Sequence, residues 1–334
     1  MTRSIAGDAR AVFLPAFADL TFQAVAEPFL QNGGCAVLLG ETRSEYLARR
    51  MSPERRGTET AASVRRCIDR LRCLAPDLIV AVDEEPGGIC RLEGLVPPLP
   101  SPEEASAMDE AELAARCFET AAAARALGVT MFLAPVADVV GGRNPWLAGR
   151  TMGREAGAVA RLVRGYVRGI QRAGLVAVTK HFPGYGDIAA DPALVDVCVE
   201  TPLAAILAQA APFRAAIEAG TRAVMTGPAP LAALDAVNAA STSPAVMRLL
   251  RQDFGFRGLI VSDDLDAPAT MRGRSLQETA VAALAAGADL LLVAGGPHLD
   301  ALCDHVAAAA GDGRLPAGRL EEAAGRVRAL AAGR

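Results

Sequence analysis

A chain of 334 residues is long enough for two domains, but an α/β barrel takes about 250 residues or more as a single domain. Apolar residues make up 51% of the chain and aromatic residues 4%, which favours helices packed closely on a sheet over a β-sandwich. Lys and Arg number 34 against 38 Asp and Glu, a net charge of -4, so the chain lacks the basic field that nucleic acids or anionic membranes require.

The cysteines and the amino terminus bear on the compartment. Seven cysteines are scattered along the chain without a CxxC pair, which is typical of reduced core thiols in a cytoplasmic protein. The first apolar stretch is broken by Pro15 and Asp19 and lacks the form of a secretion signal. No apolar run approaches the ~18 to 20 residues of a membrane-spanning helix. We therefore expect a cytoplasmic protein whose partner is a small molecule, and its oligomeric state is left open.

Short runs rich in Val, Leu and Ile recur along the whole chain. They predict eight strands, at 11–17, 35–40, 77–85, 130–139, 175–182, 222–227, 258–265 and 288–296. The runs are apolar throughout, which is typical of parallel strands buried on both faces, whereas strands with one solvated face alternate between apolar and polar residues.

Longer amphipathic stretches lie between these runs and predict helices. They include 110–128, 156–174, 205–220 and 275–287, each of which ends at a glycine suited to a helix C-cap. Eight β/α units predict an α/β fold, a (β/α)8 TIM-type barrel in which residues 1–334 form a single domain. An open doubly wound sheet is the alternative, because the first units are the least regular. We interpret the Arg-rich stretch 49–56 as a solvated helix face.

Charged side chains stand where the predicted strands end. Asp83 ends the third strand, Asp138 the fourth, Lys180 and His181 the fifth, and Asp263 and Asp264 the seventh, while Arg91 and Arg150 follow the third and fourth. All strands of a parallel barrel open on one face at their carboxyl ends, so we expect these residues around one mouth. A single such aspartate is more often a cap for the next helix. Their coincidence at four strand ends favours a site for a polyhydroxylated ligand, whose hydroxyls bind charged groups strongly.

Five segments resemble those of a known family. They read VDEEPGGICRL at 82–92, APVADV at 134–139, NPWLAGRTMG at 144–153, KHFPGYGD at 180–187 and FGFRGLIVSDDLDAPA at 254–269. In order and spacing they resemble glycoside hydrolase family 3, in its single-domain bacterial β-N-acetylglucosaminidase branch. No cluster of His, Cys and carboxylates has the spacing of metal ligands, and no Gly-rich phosphate loop follows a strand, so we expect no metal and no cofactor.

The resemblance implies a glycosidase that acts on β-linked, N-acetylglucosaminide-like sugars with retention of configuration. The aspartate after the serine of SDDL would be the nucleophile, which is Asp263 here, and it would form a glycosyl-enzyme ester. The same matching implies that five residues hold the hydroxyls of the first sugar, namely Asp83, Arg91, Arg150, Lys180 and His181. Asp138 is expected to support the site from behind.

The loop after KHFPG departs from the resembled branch. There an Asp-Ser-His triplet supplies a histidine as general acid/base, and the aspartate orients it. The corresponding residues here are Asp191, Pro192 and Ala193, so the aspartate is a remnant of the pair and the proton carrier is missing. The other two histidines, His298 and His305, belong to the last β/α unit and do not replace it.

Further departures lie in the same motifs. Tyr185 stands where the family has a histidine, and Pro86 and Gly88 replace a glycine and an arginine. The segment TGPAPL at 226–231 stands where the family has an AHV-like sequence. All of them fall at the expected mouth of the barrel, so they alter the site rather than the scaffold.

Three hypotheses accommodate these features. The first is an active glycosidase with an altered or impaired acid/base step, in which a loop carboxylate, Asp187 or Asp191, protonates the leaving group. The second is a non-catalytic sugar-binding relative. The third is an unrelated barrel enzyme in which Lys180 forms a Schiff base, and the surrounding HFPG argues against it. We favour the hydrolase.

Overall fold

Eight parallel strands form the centre of the molecule, whose computed structural model describes residues 4–333. The strands are β1 (Phe13–Phe17), β2 (Ala36–Leu39), β3 (Ile79–Val82), β4 (Met131–Phe132), β5 (Val176–Phe182), β6 (Ala223–Thr226), β7 (Leu259–Val261) and β8 (Leu291–Ala294). They pair in chain order, and β1 also pairs with β8. A bridge between Val261 and Leu290 joins the remaining edges. The predicted (β/α)8 barrel is confirmed, and the open doubly wound sheet is wrong.

All eight predicted strands are present, but each is shorter than its apolar run. The largest difference is β4, which keeps only Met131 and Phe132 of the predicted stretch 130–139. Pro135 has no N–H to donate and ends the ladder. The chain still runs beside β5, because Val136 forms a bridge with Lys180. Asp138 is therefore held close to the end of β5 although it lies outside a strand.

Helices surround the barrel. They are α1 (Ile5–Ala11), α2 (Gln23–Gln31), α3 (Arg43–Ala48), α4 (Pro53–Thr58), α5 (Ala61–Arg72), α6 (Pro102–Ala107), α7 (Glu110–Leu127), α8 (Ala156–Arg172), α9 (Leu203–Gln209), α10 (Ala211–Glu218), α11 (Pro244–Arg248), α12 (Pro268–Met271), α13 (Leu276–Ala286), α14 (Leu299–Gly311) and α15 (Ala317–Ala331). A 3-10 turn spans Ala240–Thr242, and a π-turn spans Leu249–Asp253. Within residues 4–333, none of these helices has the length and apolar character needed to cross a membrane.

Local signals account for the ends of several helices. α7 ends at Gly128, whose φ of 102° suits a residue without a Cβ. α13 begins with a capping box between Ser275 and Glu278. The single helix predicted over 205–220 is instead two helices, α9 and α10, because Pro212 lacks the N–H that would continue the hydrogen-bond ladder.

The prediction that the Arg-rich stretch 49–56 forms a solvated helix face is wrong for Arg55, whose side chain is buried. This side chain is 8% exposed, and its Nε and Nη2 donate to the two oxygens of Glu45 at 2.8 and 2.7 Å. Glu45 also closes the capping box of α3 with Thr42. Arg55 further donates to the carbonyl of Ala18, after β1. A buried carboxylate from another helix thus takes the place of the solvent that the charge pattern predicted around Arg55, and the ion pair joins α3 to α4.

Apolar side chains fill the barrel interior, among them Leu14, Leu38, Met131, Val178 and Met225. A second cluster lies between the strands and the helices. All seven cysteines are free, and Cys73 is exposed, so the prediction of core thiols is wrong for that residue. The packed interior leaves the carboxyl ends of the strands as the place where polar side chains meet.

Candidate active site

A cavity of about 220 Å³ opens at the carboxyl ends of the strands. Charged residues that line it come from the ends of β2, β3, β5 and β7 and from the segment after β4. They include five of the six residues predicted to bind or attack the sugar, namely Asp83, Arg150, Lys180, His181 and Asp263. The barrel thus brings together side chains that lie up to 180 positions apart in the chain.

Arg91 is the predicted sugar contact that does not line this cavity. Its side chain is 1% exposed and lies 2.8 Å from Glu59. Its Nε donates to the carbonyl oxygen of Gly40 at 2.6 Å. Since Gly40 directly precedes Glu41, Arg91 fixes the backbone behind a cavity residue instead of facing the ligand.

Four charged side chains form an ion-pair network in the cavity wall. Lys180 Nζ lies 2.6 Å from Asp83 Oδ1 and 2.7 Å from Glu85 Oε1. Arg150 binds both oxygens of Glu85, at 3.0 and 2.8 Å. Burial acts to raise the pKa of Glu85, but Arg150 and Lys180 outweigh it and lower that pKa. Glu85 was not among the predicted site residues, although it follows Asp83 by two positions.

This network bears on the Schiff-base hypothesis. Burial acts to lower the pKa of Lys180, but the carboxylates of Asp83 and Glu85 outweigh burial and raise it. A Schiff base needs a neutral amine, whereas Lys180 is an ammonium held between two carboxylates. The geometry favours a role for Lys180 as a hydrogen-bond donor.

His181 is held by Asp138, which is completely buried behind it. His181 Nδ1 lies 2.7 Å from Asp138 Oδ2, and Asp138 Oδ1 accepts from the amide of Tyr185 at 2.8 Å. Burial, followed by Arg150 and Lys180, lowers the pKa of His181 well below its usual value, so the ring is neutral at neutral pH. His181 has a backbone φ of 138°, which residues other than glycine rarely adopt. Backbone strain of this kind is concentrated at functional sites.

Asp263 has one carboxylate oxygen that is fixed and one that is free. Oδ1 accepts from the amide of Asp264 at 2.8 Å, and the amide of Asp263 donates to Ser241 Oγ at 3.0 Å. Oδ2 is buried and has no hydrogen-bond partner among residues 4–333. Burial raises the pKa of Asp263 to about 6, against the opposing effects of the Asp264 amide, Lys180 and Arg150. A buried oxygen without a partner at a cavity wall is available to react.

The loop after β5 contributes backbone and apolar atoms to the cavity. Pro192 and Ala193 line it, and Asp191 Oδ1 accepts from the amide of Ala193 at 2.9 Å. Asp191 itself is not part of the lining. Asp187 is exposed and lines a different cavity, together with Gly142. Neither carboxylate predicted to replace the missing histidine therefore lines the cavity of Asp263.

Glu41 is a cavity residue that the sequence motifs did not single out. It lies two residues after the end of β2, and its Oε2 is buried without a hydrogen-bond partner among residues 4–333. Burial, followed by the carboxylates of Asp83 and Glu85, raises the pKa of Glu41 to about 8. The same strand-end rule that selected Asp83 after β3 would have selected Glu41 after β2.

Two of the departures from the family motifs contact each other. A Cβ at Gly227 would lie 2.0 Å from Cε2 of Tyr185. The Tyr185 hydroxyl donates to the carbonyl of Ala229 at 2.7 Å, and its ring meets Trp146 edge-on. Gly88 similarly lies where a Cβ would be 2.0 Å from Glu85 Oε2. These replacements therefore fit their neighbours.

A (β/α)8 barrel whose strand ends present ion-paired side chains and a free carboxylate has the features that a glycosidase barrel requires. The chain is a member of glycosyl hydrolase family 3, because residues 26–330 match the family model described as the glycosyl hydrolase family 3 N terminal domain. This confirms the resemblance of the five sequence segments.

Individual relatives agree with this assignment. A β-hexosaminidase of Methylococcus capsulatus is 34% identical over 241 residues, which cover 70% of this chain and 72% of that protein. A family 3 β-N-acetylglucosaminidase from Paenibacillus sp. has a similar fold, with 29% identity and a TM-score of 0.87, over 99% of this chain and 63% of that chain. A β-N-acetylhexosaminidase from Beutenbergia cavernae has 26% identity and a TM-score of 0.86, over 99% of both chains.

Proposed function

We propose that this protein hydrolyses β-linked N-acetylhexosaminides with retention of configuration, with Asp263 as the nucleophile. The observation that carries the proposal is the free, buried Oδ2 of Asp263 at the wall of a polar cavity. The names of the relatives support the class of sugar.

The reaction has two steps. Asp263 attacks the anomeric carbon while the bond to the leaving group breaks, and a glycosyl-enzyme ester forms. Water then cleaves the ester. Lys180 and Arg150 donate hydrogen bonds to the sugar hydroxyls, and Asp83 accepts them. Asp138 fixes the neutral ring of His181 through Nδ1, which orients this ring at the cavity wall.

A trapped ester tests this proposal. The protein is incubated with an activated, fluorinated N-acetylglucosamine derivative, which slows hydrolysis of the ester, and its mass is measured. We expect a mass increase of one sugar that peptide mapping locates on Asp263, and no increase in Asp263→Asn. Turnover of an aryl β-N-acetylglucosaminide should fall at least about a thousandfold in that variant. An adduct on another residue would contradict the proposal.

A sugar-binding protein without turnover is the second candidate. One observation favours this candidate: Ala193 lines the cavity at the position of the family's acid/base histidine. Calorimetry would then show binding of N-acetylglucosamine to a protein that forms no adduct with the fluorinated sugar and cleaves no aryl glycoside.

A further inference from the structure

Two cavities meet at the mouth of the barrel. Beside the cavity of Asp263 lies a second one of about 400 Å³, which extends over the ends of β1 and β8. Several residues line both cavities, and four of them are Glu41, Arg43, Ala193 and Asp264. If the first cavity holds the sugar attacked by Asp263, the second holds the leaving group, and the glycosidic oxygen lies at their boundary.

We propose that Glu41 is the general acid/base of this enzyme and that it supplies the proton which a loop histidine supplies in the resembled branch. This inference rests on the proposed function. The protonated carboxyl of Glu41 gives its proton to the glycosidic oxygen as the bond from the anomeric carbon to that oxygen breaks and the bond to Asp263 forms. In the second step the Glu41 carboxylate accepts a proton from water, as the water oxygen bonds to the anomeric carbon and the ester bond breaks.

The position of Glu41 carries this proposal. The loop from β2 to α3 reaches the segment that lost the histidine, because Arg43 Nη2 donates to the carbonyl of Ala193 at 3.5 Å. Glu41 lies two residues before Arg43, and both Glu41 and Ala193 line the two cavities. The carboxyl group of Glu41 lies at the boundary of the two cavities on the side of β2, and Asp263 lies on the side of β7. Two carboxyl groups on different walls of a site are the arrangement that glycosidases use.

The surroundings of Glu41 favour its protonated form at neutral pH. Burial, followed by the carboxylates of Asp83 and Glu85, raises its pKa to about 8, and the cations of Lys180 and Arg91 oppose this shift. Asp264 and Asp266 line the second cavity together with Glu41 and are further carboxyl groups near it. Arg43 shares the boundary and is a further positive charge beside the carboxylate that forms when the proton leaves.

Asp264 is the competing donor, since it too lines both cavities. It follows Asp263 directly and approaches the boundary from the same strand end as the nucleophile. Glu41 approaches from another strand end, and its free Oε2 has no partner among the described residues, 4–333. The experiment therefore compares Glu41→Gln with Asp264→Asn.

The test uses aryl β-N-acetylglucosaminides with good and poor leaving groups. In Glu41→Gln we expect kcat/KM for the poor leaving group to fall about 10² to 10⁴-fold, with little change in the rate of ester formation from a dinitrophenyl glycoside. Azide should restore turnover in that variant and yield the β-glycosyl azide, because an anion needs no general base. The alkaline limb of the wild-type kcat/KM profile, near pH 8, should be absent in the variant. Glu218→Gln serves as the matched control and should behave as the wild type, because Glu218 is exposed at the end of α10 and lines neither cavity.

The outcomes separate this proposal from the proposed function. The fluorinated sugar should label Asp263 in both the wild type and Glu41→Gln, which also shows that the variant is folded. If Glu41→Gln is labelled but its loss of kcat/KM is the same for good and poor leaving groups, the role of Glu41 is overturned. The same holds if Asp264→Asn shows the loss and the azide rescue instead. A wild type that neither forms the adduct nor cleaves any aryl glycoside would overturn the proposed function, and the role of Glu41 with it.

Discussion

Tyr185 and Gly227 show how two single residues of this chain depend on each other in packing. Tyr185 fills the space in which residue 227 would carry its Cβ, and its hydroxyl satisfies the carbonyl of Ala229. Since protein interiors are close-packed, residue 227 cannot carry a larger side chain while Tyr185 occupies this space. The two departures from the family motifs are therefore one change in packing.

We expect Gly227→Ala to lower the free energy of unfolding by about 1 to 3 kcal/mol, because the new methyl group would overlap the Tyr185 ring. Urea denaturation measures this change. Gly157→Ala is the matched control, since a Cβ at Gly157 in α8 meets nothing within 4 Å, and it should be neutral or slightly stabilising. Adding Tyr185→Ala should remove most of the effect of Gly227→Ala. Equal effects in both backgrounds would show that the two residues are not coupled.

Motifs and strand ends predicted most of the charged residues that line the cavity. Asp83, Lys180, His181 and Asp263 all stand at strand ends within matched segments, and all line the cavity. Arg91 has the same kind of evidence but turns to Glu59 and Gly40. Sequence position does not reveal which way a long side chain turns, because its partners come from other loops.

At the scale of secondary structure elements, the predictable features are those with local causes. Helices α7 and α13 begin and end at capping residues that are visible in the sequence, Asp109 and Gly128 for α7 and Ser275 and Gly287 for α13. The burial of Arg55 depends instead on Glu45 in a different helix, whereas the charge pattern alone predicted that Arg55 is exposed to solvent. The loop after β5 was predictable only in part. Its sequence shows that the family's histidine is missing, but it does not show which residues of the cavity wall lie opposite Ala193.

Restoring a histidine to this loop tests whether the element still has the family's geometry. The loop is held in place, because the carbonyl of Pro192 accepts from the amide of Ala269 and Asp191 accepts from the amide of Ala193. Ala193→His would place an imidazole at the boundary of the two cavities, where Asp191 can orient it. Pro192→Ser is added because proline restricts both its own backbone and that of Asp191.

In the Glu41→Gln background, we expect the double change to raise kcat/KM for a poor leaving group tenfold or more, which is about 1.4 kcal/mol of barrier. The same double change with Asp191→Asn should gain less, since the imidazole would lose its orienting carboxylate. No gain in a folded protein that still binds N-acetylglucosamine would argue that the loop no longer presents residue 193 to the glycosidic bond.

Over the whole molecule, the two ends of the barrel differ in how their charges are compensated. At the amino ends of the strands, the completely buried Asp289 binds Arg251, Arg319 and Arg326, at 2.7, 2.5 and 3.2 Å. At the carboxyl ends, Glu41 and Asp263 each keep a buried oxygen without a partner within residues 4–333. The carboxyl ends also contain the ion pairs of Lys180 and Arg150, but the unpaired carboxyl oxygens found there favour reactivity at a cost in stability.

This asymmetry predicts how stability depends on pH. The pKa of Glu41 is about 8 in the folded protein, whereas its ordinary value, which applies to the unfolded chain, is 4.5. The folded state therefore binds the proton more tightly than the unfolded state does. The stabilisation is present below pH 4.5 and is lost as the pH rises from 4.5 towards 8, because in this range the unfolded state releases the proton while the folded state keeps it. Asp263, with a pKa raised to about 6, acts in the same direction over a lower range.

Replacing Glu41 by Gln removes the charge but keeps the shape of the side chain. We therefore expect the free energy of unfolding of Glu41→Gln to exceed that of the wild type at pH 9 by on the order of 1 kcal/mol, with a smaller difference at pH 5. Urea denaturation at both pH values measures it. Asp187→Asn is the control, because Asp187 is exposed and its replacement should leave stability unchanged at either pH. A wild type that is more stable than Glu41→Gln at pH 9 would mean that the Glu41 carboxylate is stabilised by its surroundings, and a carboxylate of that kind is a poor proton donor at neutral pH.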